Sequence, residues 1–418
     1  MNDARLWAIN QLQNILVGGQ QNSTAPTNRQ DTAFVNMVTL TALRHLNHIS
    51  KIIKKLTQKN LSSQKPLVRM ILILGTTELL YMNSADYGVI NSYVEIAKAK
   101  TNHFAAGFIN AVLRKINGQK EMLINDDKKD FFPPEFRNLL LKSYAQTTVD
   151  EIEKASLNEP ALDITLIDKN STIDNLGEIL PLGTLRMAHK GKIDELPDYK
   201  DGKWLVQDFS SALPVKMLGE INGKKVLDVC AAPGGKTAQL LAKGAKVTAL
   251  DISSARLDIL QTNLQRLHLQ ADNIICADAC EYLKDSAETY DIVLLDAPCS
   301  ATGTLRRHPE IVYNKNAEDV KKQADLQKKL LELAYLKVAH NGCLAYCTCS
   351  LCKEEGENQI QEFLHRHSDW QIHNLAHLIP NEIAEIAAPE GWIRVIPSHL
   401  AKFGGADGFF VALLHRKA

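Results

Sequence analysis

From residue 206 onward the chain alternates short apolar runs with amphipathic stretches, an order that few folds accept. The runs are KKVLDVC, AKVTALD, NIICAD, YDIVLLDAP, GCLAYCTC, WIRVIPS and GFFVALLHR, and several end on Asp or on a small residue. Helical spacing returns between them. Strands separated by helices predict a doubly wound, Rossmann-like α/β sheet over 206–418. Such a sheet collects its ligands beyond the carboxyl ends of the strands, so the residues just past each run are the ones to read for chemistry.

The first run leads through CAAPGG into a helix. Ala231 and Ala232 keep this turn small, and Gly234 and Gly235 let backbone approach a ligand with no Cβ in the way. Asp251 closes the second run and Asp278 the third. A carboxylate at the first place accepts from ribose hydroxyls, and one at the second lies within reach of an adenine. The turn with both acids points to an adenosine-bearing cofactor. The dinucleotide pattern G-x-G-x-x-G and the phosphate cradle G-x-x-x-x-G-K-[ST] are both absent. S-adenosyl-L-methionine, which has ribose and adenine but no phosphate, suits a turn rich in acids.

The fourth run continues as Asp296-Ala297-Pro298-Cys299. Methyltransferases that modify exocyclic amines place an aromatic clamp here, and a thiol in its stead implies another target atom. C5 of a pyrimidine is a poor nucleophile until a thiolate adds to C6 and makes the ring an enamine. That route needs a thiol, an acid beside N3 and a base for the C5 proton. Asp296 supplies the acid, and Cys299 together with a cysteine from GCLAYCTCSLC supplies thiols. All eight cysteines lie in the second half, four of them at 343, 347, 349 and 352. Structural zinc pairs its cysteines in two separated knuckles. Here a single cluster has intervals of three, one and two residues, so no metal is expected. On a strand, Cys343, Cys347 and Cys349 share one face, and Cys352 falls past its end.

Residues 1–140 read differently. AFVNMVTLTALRHLNHISKIIKKLT, VRMILILGTTELLYM, INSYVEIAKAK and NHFAAGFINAVLRKI all space their apolar residues by threes and fours, which predicts an all-α domain. GGQQNSTAPTNRQD reads as an exposed connector, and DDKKDFFPPEF as a break closing the block. Residues 141–205 form a smaller mixed segment, with a helix through EIEKASLN and one strand, ALDITLID. Residues 1–120 hold fourteen Lys and Arg against five Asp and Glu, although the whole chain is neutral. A basic block tethered to an acidic one suggests that the first holds a polyanion. The start MNDARLWAINQLQNIL lacks a secretory pattern, and no apolar run is long enough to span a membrane. The expectation is a cytoplasmic protein, monomeric and away from membranes.

CAAPGGKT, LDAPCSATGTLRRHPE and YCTCSLCKEEGENQI resemble the motifs of the RNA cytosine-C5 methyltransferases. The helical block resembles the RNA-binding domain of the antitermination factor NusB. Together they imply a small-subunit (16S) ribosomal RNA (cytosine-5)-methyltransferase that draws its methyl group from S-adenosyl-L-methionine. The resemblance further implies that Cys349, in Thr-Cys-Ser, is the nucleophile and that Cys299 assists release. It implies a donor site from Cys230 through Ala231, Ala232, Pro233, Gly234 and Gly235 to Lys236, with Asp251, Asp278 and Asp296. Lys236 would lie beside the reacting centre, where its charge favours a thiolate. Tyr313 stands where the family often has Trp, and Gln207 and Asp208 match a family motif that a helix N-cap at Asp208 explains equally well. Arg306 and Arg307 are expected to contact phosphate near the site. Two other readings stand beside this one: the same chemistry on transfer RNA or DNA, and a non-catalytic RNA-binding or ribosome-assembly factor.

Overall fold

The computed structural model describes residues 2–18, 29–82, 84–125, 130–168, 176–188 and 191–417. The heart of the expected connector, 19–28, and the start of the break after residue 125 lie outside the described residues. The chain divides into two compact units, one of residues 1–138 with 308–314, the other of 139–307 with 315–418.

The first unit is helical. Its central helix, Pro66–Tyr81, is buried without interruption from Met70 to Leu80, which explains why MILILGTTELLYM shows no polar face. The helices Asn2–Val17, Arg29–Arg44, Leu46–Thr57, Asp86–Lys100 and His103–Gly118 pack around it. AFVNMVTLTALRHLNHISKIIKKLT is two helices, broken at His45. Glu78 is fully buried in this core, where Arg5 binds both its oxygens at 2.9 and 2.6 Å and the Tyr93 hydroxyl donates at 2.6 Å. Removing one partner of so buried a pair costs about 3–5 kcal/mol, because a lone charge remains. The short segment 308–314 belongs here too: Tyr313 packs against this core and donates its hydroxyl to the Leu43 carbonyl at 2.8 Å.

The second unit holds two sheets. Where one strand was expected there are four among the described residues: β1 (Leu162–Leu166), β2 (Glu178–Leu180), β3 (Thr184–Met187) and β4 (Trp204–Val206), all antiparallel in the order β2-β3-β1-β4. The larger sheet comprises β5 (Lys225–Val229), β6 (Lys246–Asp251), β7 (Asn273–Cys276), β8 (Tyr290–Asp296), β9 (Val338–Thr348), β10 (Trp370–Ile372), β11 (Ile393–Val395) and β12 (Phe409–Arg416). Its order is β10-β12-β9-β8-β5-β6-β7, with β11 paired to β12. The pairs among β5 to β9 are parallel, and those of β12 with β9, β10 and β11 antiparallel. Strand order reverses between β5 and β8, so a crevice opens beyond their carboxyl ends, as in doubly wound sheets generally. Among the described residues no helix is long and apolar enough to cross a membrane.

Candidate active site

At that crevice lies a cavity of about 460 Å³. It is lined by three strand-end acids, Asp251, Asp278 and Asp296, and by the thiols of Cys230, Cys299 and Cys349. Ala232, Ile252, Pro298, Leu326 and Leu330 add apolar wall.

Two of the acids have structural work as well as a place on the cavity. Asp251, on the last residue of β6, accepts from the Ala232 amide at 3.1 Å and the Ser253 amide at 3.0 Å, so it fixes the turn that follows β5. Arg256 lies beside it, 3.3 Å from its carboxylate, and also donates to the Ala232 carbonyl. Asp278 caps the helix Ala279–Asp285 through Oδ1, which accepts from Cys280 and Glu281 amides at 2.8 and 3.1 Å.

The turn Cys230–Lys236 divides. Cys230 and Ala232 face the cavity, and burial pushes the Cys230 thiol up to about 12. Ala231 packs inward, and Pro233, Gly234 and Gly235 line a separate hollow with Tyr199 and Arg266. Gly234 is explained locally rather than by a ligand. Its φ is +101°, and a Cβ there would stand 2.8 Å from Leu260 Cγ. Lys236 stands behind the wall and donates to Asp296 Oδ2 at 2.7 Å. Burial alone would lower its pKa, but Asp296 and the neighbouring thiols outweigh that and raise it. The ammonium therefore stays charged beside Asp296.

The cysteine cluster separates into distinct residues. Cys343 and Cys347 lie in β9 within the apolar core, and burial holds the Cys347 thiol well above its ordinary range, with Asp296 adding to the effect. Cys352 is buried past the strand. Cys349, one residue beyond β9, reaches the cavity, and its sulfur is 3.4 Å from that of Cys299. The parallel register of β8 and β9 sets Asp296 opposite Cys347, so the segments carrying both thiols leave the sheet side by side. The loops then touch: the Gly303 amide donates to the Cys349 carbonyl at 2.9 Å, and a Cβ on Gly303 would meet the Gly408 carbonyl at 2.0 Å. Hydrogen bonding to Cys349, then burial, keep the Cys299 proton on sulfur well above the ordinary thiol range.

Arg306 and Arg307 are not arranged as expected. Arg306 is only 2% exposed and donates to the Gly404 carbonyl at 2.6 Å, which leaves it no surface to offer a phosphate. Arg307 bridges Asp407 at 2.8 Å and Asp208 at 3.0 Å. These two acids, not an external anion, take its charge. Asp208 is the N-cap of the helix Phe209–Lys216, and Gln207 donates to Gln239 at 2.8 Å. Arg256, Leu326 and Leu330 went unread in the sequence. The last two lie four apart on the helix Ala317–Ala334, a spacing that says "helix" without saying which face meets a ligand.

A mixed Rossmann-like sheet with three acids and two adjacent thiols around one cavity has the make-up of a methyltransferase domain. Comparison with known proteins makes this specific. Residues 215–415 match the model of the 16S rRNA methyltransferase RsmB/F family, and residues 5–118 that of the NusB family. The chain is similar to ribosomal RNA small subunit methyltransferase B of Pasteurella multocida, with 32% identity over 93% of this chain and 89% of that one. The protein of the same name from Vibrio vulnificus is 30% identical over 87% and 91%. NSun6 from Pyrococcus horikoshii, solved with SFG, superposes with a TM-score of 0.55 at 18% identity, over 68% of this chain and 98% of that one, and so shares the fold. The chain belongs to the ribosomal RNA small subunit methyltransferase B family, and is an S-adenosyl-L-methionine-dependent RNA methyltransferase.

Proposed function

We propose that the chain methylates C5 of a cytosine in small-subunit (16S) ribosomal RNA through a covalent adduct of Cys349 with C6. The observation that carries this reading is the pair of thiols, 3.4 Å apart, on the same cavity as Asp296. A methyltransferase acting on an oxygen or an exocyclic amine has no use for a second thiol beside the first.

The donor set fits S-adenosyl-L-methionine. Asp251 offers acceptors suited to ribose hydroxyls, Asp278 keeps Oδ2 outside its helix cap, and Ile252, Pro298 and Leu326 provide a flat apolar wall for a purine. Bound there, S-adenosyl-L-methionine supplies an electrophilic methyl group. The chain's own residues do the rest. Cys349 Sγ, as thiolate, adds to C6 and moves the ring electrons to C5. Asp296 holds the N3 edge, and Lys236 beside it steadies negative charge that develops on the ring. After methylation C5 carries both a methyl and a proton. Cys299 is the group positioned to manage that proton, whose loss restores the C5–C6 double bond and expels Cys349. The target base must be unpaired or flipped out to meet the thiol. The helical unit, with its basic surplus, is the part proposed to hold structured RNA. No metal and no partner subunit is needed for these steps.

Two variants test the assignment. Cys349→Ala should abolish methyl transfer while S-adenosyl-L-methionine still binds. Cys299→Ala should let attack proceed but stall release, leaving RNA attached to protein on a denaturing gel. Activity in the first variant, or an RNA-linked band that persists without Cys349, would overturn the roles.

A further inference from the structure

A buried carboxylate grips both of the loops that carry the thiols. Ser300 follows Cys299, Ser350 follows Cys349, and both serines are fully buried. Glu355 lies between them with no exposed surface. Its Oε1 accepts from the Ser300 amide at 2.8 Å and from Gln327 Nε2 at 3.1 Å. Its Oε2 accepts from the Ser300 and Ser350 hydroxyls, each at 2.5 Å. Gln327 extends the grip by donating to the Pro298 carbonyl at 2.8 Å. The Glu355 carbonyl in turn accepts from the Thr348 hydroxyl at 3.2 Å and the Tyr346 hydroxyl at 2.8 Å. The residues on either side of both sulfurs are thus tied to Glu355, by side chain or carbonyl, or to Gln327.

Loop anchoring alone does not call for a charge here. Thr302 already links the loops, since its hydroxyl lies 3.1 Å from that of Ser350 and accepts from the Leu351 amide at 2.9 Å. A carboxylate buried among neutral donors is costly compared with a neutral or apolar group of the same size. Glu355 does not line the cavity, so it touches no substrate. Its charge reaches the thiols of Cys299 and Cys352 and the Tyr346 hydroxyl, and of these three Cys299 lies on the cavity.

We propose that Glu355 is a positioning residue for the two-thiol chemistry, holding the Cys299 and Cys349 loops at the spacing that lets both sulfurs serve one base. This rests on the two-thiol reading above. The carboxylate also acts on Cys299 through space. Its negative charge adds to the hydrogen bond from Cys349 and to burial, which together keep the proton on that sulfur. Cys299 thereby stays the neutral thiol while its neighbour attacks, and it must release that proton to solvent before its sulfur can take the one on C5.

The test uses full-length protein with Glu355→Gln and Glu355→Asp. Two quantities are read: methyl transfer to small-subunit ribosomal RNA, and the pH midpoint of Cys299 alkylation by iodoacetamide, located by mass mapping. Glu355→Gln should lower kcat by about tenfold or more, with KM for RNA within about twofold. The same variant should move the Cys299 midpoint down by about half a pH unit or more. Glu355→Asp keeps the charge and should restore the midpoint, with kcat in between. A kcat within about twofold of the parent for Glu355→Gln, or a lost kcat with an unmoved midpoint, overturns the proposal. If Glu355→Gln fails to bind S-adenosyl-L-methionine, Ser350→Ala decides by kcat. A drop of about threefold or more supports the proposal, and parent-like turnover overturns it. Full activity in Cys349→Ala would sink the two-thiol reading itself, while the alkylation midpoint still reports on Glu355.

Discussion

Asp228 shows how a single side chain can set the pH range of this fold. It is fully buried in β5, its Oδ2 accepts from Thr237 at 2.6 Å, and its Oδ1 has no hydrogen-bond partner among the described residues. Burial pushes its pKa up to about 7, and the Thr237 hydrogen bond offsets only part of that. The folded chain therefore binds the proton more tightly than the unfolded chain, whose Asp titrates near roughly 3.9. Stability from this group is complete below the unfolded value and is lost as pH rises through about 7. Asp228→Asn keeps an acceptor for Thr237 and removes the charge. It should raise the melting temperature at pH 8 and leave it near the parent's at pH 3, a difference on the order of a few kcal/mol at the higher pH. Parallel melting curves at the two pH values would refute this. Other side chains explain what a sequence can disclose. Asp251, Asp278 and Asp296 were legible because they sit just where apolar runs end. Glu355 was not, since KEEGE reads as a solvated acidic stretch and only the fold drives one of its acids into the core. Arg306 failed in the opposite sense, because an Arg doublet looks the same whether it meets phosphate or the Gly404 carbonyl.

The larger sheet was readable as elements because β5, β6, β8 and β12 are long enough to show an apolar run with a marked end. The smaller sheet was not. Three of its strands have three or four residues, too few for alternation to stand out against turns. Its role lies in tertiary ties such as Arg186, which binds Asp163 at 2.6 and 2.7 Å and donates to the Phe403 and Gly405 carbonyls at 2.8 and 2.5 Å. The loop after β8 is held just as closely by backbone alone. Gly303 admits the Gly408 carbonyl and donates to Cys349, so Gly303→Ala must push the β8 loop away from the segment before β12 and from the Cys349 carbonyl. We expect that variant to lose about 1–3 kcal/mol in chemical denaturation and to lose most methyl transfer, while the helical unit keeps its circular dichroism. Unchanged stability would mean that the loops are less tightly fitted than their distances say.

Across the whole molecule, charge is divided by unit. The basic surplus of the first 120 residues includes the exposed Lys54, Lys55 and Lys59 near the end of one helix. Replacing these three by Gln should weaken RNA binding and flatten the plot of log affinity against log salt by roughly 0.7 for each phosphate no longer neutralised, with melting temperature unchanged. An unaltered slope would mark this face as solvated charge alone. The chain also runs between its units more than once, since 308–314 leaves the catalytic sequence to join the helical unit and then returns. No single cut frees either part intact: trimming at residue 138 leaves Tyr313 without the Leu43 carbonyl that receives its hydroxyl. In heredity this amounts to a lock. A recombination event that swaps the N-terminal unit for another must also find, some 170 residues downstream, a seven-residue graft that fits the newcomer.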